Sequence, residues 1–201
     1  MTKLYKLTDE NGRTHNQTQW GEGVTHSGTG KGGLCGPGFI HAYEDPLVAV
    51  FMNPIHADFP DPLMWEAEGE IAIRNGQLKC GCVSLTTVRE IPLPVVTTEQ
   101  RIRFAILCAK EVCRDAEWNA WADKWLSGEE RGKESAAAAR AAASADAAWA
   151  AWSAAEAAAS AAAAEWGAAE WAAAAELAAA WAAGAAAAAL DLGAMAREAV
   201  S

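Results

Sequence analysis

Apolar and polar positions alternate from the start of the chain. Lys3-Leu4-Tyr5-Lys6-Leu7-Thr8 has the two-residue period of a strand, and Asp9-Glu10-Asn11-Gly12 ends it as a turn. Residues 13–38 are polar and glycine-rich and read as loop. Phe39 to Tyr43 reads as a second strand. Asp45-Pro46 starts a helix with proline in its first turn, running through Met52 to a stop at Pro54. After a proline-rich loop, Leu63 to Ile73 alternates as a strand with Met64, Ala67 and Ile71 or their neighbours inward. Asn75-Gly76 is a hairpin turn. Gln77 to Val83 returns, and Ser84 to Leu93 forms a further strand.

At Thr97 the period changes from two to 3.6. Thr97-Thr98-Glu99-Gln100 fits a capping box for a helix over Arg101 to Cys113. Asp115 caps the next helix, where Trp118, Trp121 and Trp125 recur on one side, and Ser127-Gly128 ends it. The pattern predicts an α+β chain. A small, mainly β domain over 1–96 is followed by connecting helices over 97–127, a linker over 128–134 and a helical segment over 135–201.

That last segment is unlike the rest. Of residues 136–201, 40 are alanine and none is proline. Alanine loses no side-chain entropy on entering a helix and is the best helix former. At about 100° per residue, Trp149, Trp152, Trp166, Trp171, Leu177, Trp181, Leu192 and Met195 fall within roughly 140° of one another. Glu156 and Glu170 share that arc. A striped helix buries its stripe. Unbroken, it would run to about 100 Å, so it must fold on itself or pair with copies of itself, with Gly167, Gly184 and Gly193 as the expected breaks. Trp149, Trp152, Trp166, Trp171 and Trp181 are therefore the expected oligomerisation residues, and a homo-oligomer the expected state. Three other readings fall away. The longest uncharged run, Leu177 to Leu190, is too short to span a bilayer. Ice binding needs spaced threonines, and the segment has none. Five tryptophans argue against a disordered tail.

Net charge is −10, divided equally between residues 1–135 and 136–201. An acidic chain without a basic run is a poor ligand for nucleic acid. Five cysteines and the opening MTKLYKLTDE, which lacks a secretory pattern, point to free thiols in a reducing cytoplasm.

Chemistry is sparse. The run Gly28 to Gly38 lacks the Gly-Lys-Ser/Thr ending of a P-loop and reads as a loop with backbone N–H groups open to an anion. Cys80-Gly81-Cys82 is one residue short of the usual zinc spacing, so small buried thiols are expected and no metal. Cys108 and Cys113 lie about 140° apart on a helix and do not pair. No Ser/His/Asp set stands out, and His41 beside Tyr43 is the best-placed histidine.

The order Leu4-Tyr5-Lys6-Leu7-Thr8, then a glycine-rich gap, then Gly38 to Phe51 and Trp65-Glu66-Ala67-Glu68, resembles small phage and bacterial proteins. Their N-terminal half is similar to the split-β fold of ADP-ribosyltransferases, a likeness covering about residues 3–93. The resemblance implies a nicotinamide dinucleotide cleft with Lys6 at the first motif, where active transferases carry His or Arg. His41 or Tyr43 would occupy the second motif, and Glu66 or Glu68 the catalytic glutamate. Because Lys6 departs from the pattern, the leading expectation is a non-catalytic accessory protein without cofactor. It would present a binding head on a helical oligomerisation segment in a bacterial host cytoplasm, bind a nucleotide or host protein, and engage neither membrane nor nucleic acid. The alternatives are an NAD-dependent transferase or a nucleotide sponge in anti-defence.

Overall fold

The computed structural model describes residues 1–142 and 190–201. It is a mixed α+β chain in two compact units, Met1–Val95 and Val96–Ser201. The first is built on an antiparallel sheet and the second is helical.

In the first unit β1 (Thr2–Thr8) pairs with β6 (Leu63–Asn75), and β6 with β7 (Lys79–Ile91). Two short strands, β4 (Thr25–Ser27) and β5 (Ile40–Ala42), lie along the free edge of β7. Just past β5, Tyr43 exchanges both backbone hydrogen bonds with Tyr5 of β1, at 2.8 and 2.9 Å. The strands β1, β6, β7 and β5 thus close into a narrow ring. Leu4, Ala42, Ala67, Cys80, Cys82 and Leu85 form one buried cluster in its interior, joined by Trp20. The interior is narrow enough to demand small residues. A Cβ on Gly69 would stand 3.0 Å from the Cys82 sulfur and 2.9 Å from the Ser84 carbonyl oxygen.

Several expectations are corrected here. The supposed loop 13–38 contains β2 (Arg13–Thr14), a 3-10 turn (His15–Gln17), β3 (Thr18–Gln19) and β4. Asp9 Oδ1 accepts from the Asn11 and Arg13 N–H groups, and this turn chemistry starts the β2–β3 hairpin. The two strands expected over 77–93 are a single strand, β7. Its alternation breaks at Val83 and Ser84, both exposed, where the β6–β7 ladder shifts register, so one strand looks like two in the sequence. Helix α1 (Pro46–His56) starts as expected, Asp45 accepting from the Leu47 and Val48 N–H groups at 2.8 and 3.3 Å. It runs past Pro54, because only the last turn lies beyond that residue and the Ala57 N–H still reaches the Asn53 carbonyl at 2.8 Å.

In the second unit the expected capping box is present. Thr97 Oγ1 accepts from the Gln100 N–H at 3.2 Å and Gln100 Oε1 from the Thr97 N–H at 2.8 Å, opening α2 (Thr98–Val112). Asp115 caps α3 (Ala116–Ser127) through the Trp118 N–H at 2.7 Å, and Gly128, with φ 80°, ends it. Trp118, Trp121 and Trp125 are all buried. The expected linker is short and pinned: Arg131 stacks on Trp125 at 4.8 Å and meets Glu99 at 2.6 Å, and α4 (Lys133–Ala142) begins at Lys133. The C-terminal helix (Leu192–Val200) starts afresh at Asp191, which caps it through the Ala194 N–H at 2.8 Å. Gly193 therefore sits inside a helix and is no break. This helix runs antiparallel to α2, with Gln100 Nε2 donating to the Val200 carbonyl at 3.3 Å and the Cys108 sulfur 3.7 Å from that of Met195. Leu192 and Met195, two members of the sequence stripe, are used here within the chain. Trp149, Trp152, Trp166, Trp171 and Trp181, with Gly167 and Gly184, lie outside the described residues. Among the described residues no helix is long and apolar enough to cross a membrane.

Candidate functional site

The register of β1 decides which candidate residues meet. Leu4, Lys6 and Thr8 alternate into the ring, whereas Lys3, Tyr5 and Leu7 face outward. Lys6 pairs with Trp65, so its side chain enters the interior; Glu66 pairs with Tyr5 and Glu68 with Lys3, so both acids stand on the outer face. His41 and Tyr43 also take the outer phase, since Ile40 and Ala42 pack inside. The sheet itself separates Lys6 from the other four residues. Lys6 Nζ donates a hydrogen bond to the His41 backbone carbonyl at 2.8 Å, and, behind burial, its charge helps to lower the pKa of the His41 imidazole.

Each residue has its own setting. Lys6 is nine-tenths buried, 5.1 Å from the centre of the Trp20 ring. Burial lowers its pKa to about 8, against the pull of the Cys82 and Cys80 sulfurs. The His41 ring is hydrogen-bonded through Nε2 to the Leu34 carbonyl, and burial holds the imidazole below its ordinary pKa in spite of that bond. Tyr43 lies under α1: its ring stacks on His56, centroids 6.0 Å apart, and its hydroxyl is 3.3 Å from His56 Nδ1. Burial raises the phenol and lowers His56 to about 4, with Lys79 adding to the latter.

Glu66 is committed to two cations. Arg89 Nη2 lies 2.7 Å and Lys3 Nζ 3.3 Å from its Oε2. Partial desolvation opposes ionisation, but the hydrogen bonds from Lys3 and Arg89 outweigh it and hold the carboxyl below its usual range. Glu68 is exposed. Tyr43, Tyr5 and Glu66 form one row across neighbouring strands, and two strand spacings put Tyr43 and Glu66 about 10 Å apart at Cα.

Comparison with family models, with curated proteins and with solved structures finds no match for this chain. Function therefore rests on the geometry. Among the described residues no three metal-ligating side chains converge. The glycine-rich loop spends several of its N–H groups internally: Gly28 on Val83, Gly30 on Gly38 and Gly36 on Gly33.

The sequence reading missed one group, His56, and the inward direction of another it had named, Lys6. His56 gave no local signal, since its partner is thirteen residues away on another element. The direction of Lys6 was signalled: a lysine in phase with Leu4 and Thr8 must point where they do, and both are fully buried.

Proposed function

We propose that this chain is a non-catalytic binding and assembly protein, an accessory factor of phage or bacterial origin. Its N-terminal unit is the binding head, and its alanine- and tryptophan-rich segment joins copies of the chain. The observation that carries this reading is the state of Glu66. A transferase glutamate has to be free to orient a ribose, whereas this one is held by Lys3 and Arg89 on the sheet face opposite Lys6. A catalytic row that is partly buried under α1 and partly neutralised supports recognition better than turnover. The helical unit adds support, since its large side chains are packing residues.

The test is native mass spectrometry of the full-length protein taken directly from cells, followed by incubation with NAD. A discrete oligomer that releases no nicotinamide supports the reading, and a Trp166→Ala/Trp171→Ala double variant then gives a smaller species. A monomer sinks the assembly half.

A second reading keeps an ADP-ribosyltransferase-like head. It is favoured by one observation, the placement of His41, Tyr43 and Glu66 on the same sheet face. Nicotinamide release that disappears in Glu66→Gln would establish it. A nucleotide carried through purification and never consumed would make the head a sponge.

A further inference from the structure

Asn11-Gly12 and Asn75-Gly76 share one chemistry and stand in opposite surroundings. In such a step the glycine nitrogen is able to close on the asparagine side-chain amide, because glycine has no side chain to shield it. Closure needs a glycine N–H that is not donated, a free asparagine amide, and backbone that rotates between the two residues. Neither functional reading above depends on these sites.

At Asn11 each requirement is blocked. Gly12 is buried, its N–H donates to the Asp9 carbonyl at 3.0 Å, and its carbonyl accepts from the Trp20 N–H at 2.7 Å. The Asn11 N–H donates to Asp9 Oδ1 at 2.9 Å and its amide nitrogen to Glu10 Oε1 at 3.0 Å. Its carbonyl accepts from Gln19 Nε2 at 3.0 Å. Rotation at Asn11 would break up the start of the β2–β3 hairpin.

Asn75 is the last residue of β6, at the tip of the β6–β7 hairpin, and Asn75, Gly76 and Gln77 are all exposed. Among the described residues neither the Asn75 amide nor the Gly76 N–H has a hydrogen-bond partner. The tip is held by the Leu78 N–H on the Asn75 carbonyl, at 3.0 Å, and by the terminal rung between Asn75 and Lys79. An exposed tip held so sparsely opens at little cost, without unfolding of the sheet behind it.

We propose that Asn75 is a self-modifying site, at which the β6–β7 hairpin ages with water as the sole co-reactant. The Gly76 nitrogen gives up its proton and attacks Asn75 Cγ. A C–N bond forms, the Cγ–Nδ2 bond breaks, and the amide leaves with that proton as ammonia, so the chain carries a succinimide. Water then opens the ring. Addition at Cγ breaks the new C–N bond and leaves Asp. Addition at the main-chain carbonyl carbon breaks the original peptide C–N bond, and the chain runs on through Cβ and Cγ as isoaspartate. In either case one water enters, one ammonia leaves and the chain gains a negative charge. As Asp, residue 75 faces Lys79 across the hairpin and forms an ion pair with it. As isoaspartate it adds a carbon to the main chain beside the rungs Arg74–Cys80 and Ile73–Gly81, which set the start of β7.

The experiment incubates the full-length folded protein in mildly alkaline buffer, with a urea-unfolded sample beside it. Brief digestion and peptide mass spectrometry then follow Asn75 and Asn11 in the same sample. In the unfolded chain the two steps should convert at similar rates. In the folded chain Asn75 should convert faster than Asn11 by roughly tenfold or more, and its product should separate into Asp and isoaspartyl peptides. A folded-state ratio no different from that of the unfolded chain overturns the proposal, as does faster conversion of Asn11. The Asn75→Gln variant, whose longer side chain closes a ring far more slowly, should keep residue 75 as the amide; conversion there at the parent's rate also overturns it.

Discussion

The two units bury their side chains by different means. In the N-terminal unit the inside is narrow and filled with Ala42, Ala67, Cys80 and Cys82, and it admits one ammonium, Lys6. In the helical unit the buried side chains include Trp118, Phe104, Ile102 and Ile106, and α2, α3 and the C-terminal helix each start at a side-chain cap. The first interior is set by register between strands distant in sequence. The second is set by residues three, four and seven apart. Unlike groups therefore meet in the strand unit, where long-range pairing brings them together, and like apolar ones in the helical unit, where a stripe such as Trp118-Trp121-Trp125 recurs on one face.

The largest effect on this contrast should come from Trp118→Ala. It removes a fully buried indole from the helical interior and should cost about 3–5 kcal/mol. A urea titration reads it, and a loss below about 1 kcal/mol would mean that the tryptophan stripe is not the core of that unit. Next is the pH response of the strand unit. His56 has a folded pKa of about 4 against an ordinary 6.5, so the unfolded chain takes up the proton first as pH falls. Stability is therefore intact above pH 6.5 and drains away between 6.5 and 4, with a ceiling of about 3 kcal/mol at 1.36 kcal/mol per pK unit. His56→Gln should flatten that part of the profile; an unchanged slope would move the acid sensitivity elsewhere.

Thr97→Ala should cost about 1 kcal/mol, because the Gln100 N–H loses its acceptor and the capping box its return bond. A neutral result would mean that α2 is held by packing alone. The smallest effect is expected from Glu66→Gln. Its partners are more than half exposed, and surface pairs contribute little. Its urea midpoint should match the parent's, which leaves any change in nucleotide binding attributable to the site.

What could be read in advance follows the same division. The Thr97 capping box, the Asp115 cap and the Trp118-Trp121-Trp125 stripe are written within one or two turns of chain, so the sequence alone reveals them. The ring is different. The alternation of β7 slips at Val83 and Ser84, β4 and β5 contribute only three residues each, and closure depends on the single bridge between Tyr5 and Tyr43. None of this has a local period. The candidate site suffered accordingly. Lys6, His41, Tyr43, Glu66 and Glu68 were grouped by motif order, yet strand phase turns Lys6 inward and the others outward, and only the paired register makes that visible.

The contact between Gln100 and Val200 also bears on how the chain is made. The C-terminal helix covers α2 but is synthesised about a hundred residues after it. At about 5–20 residues per second, α2 waits roughly 5–20 s on the ribosome before its partner emerges. Throughout that interval the face bearing Cys108 and the cap region at Gln100 lack their final cover. The order of synthesis thus makes α2 the segment on which chaperones or early chain-to-chain contacts would act.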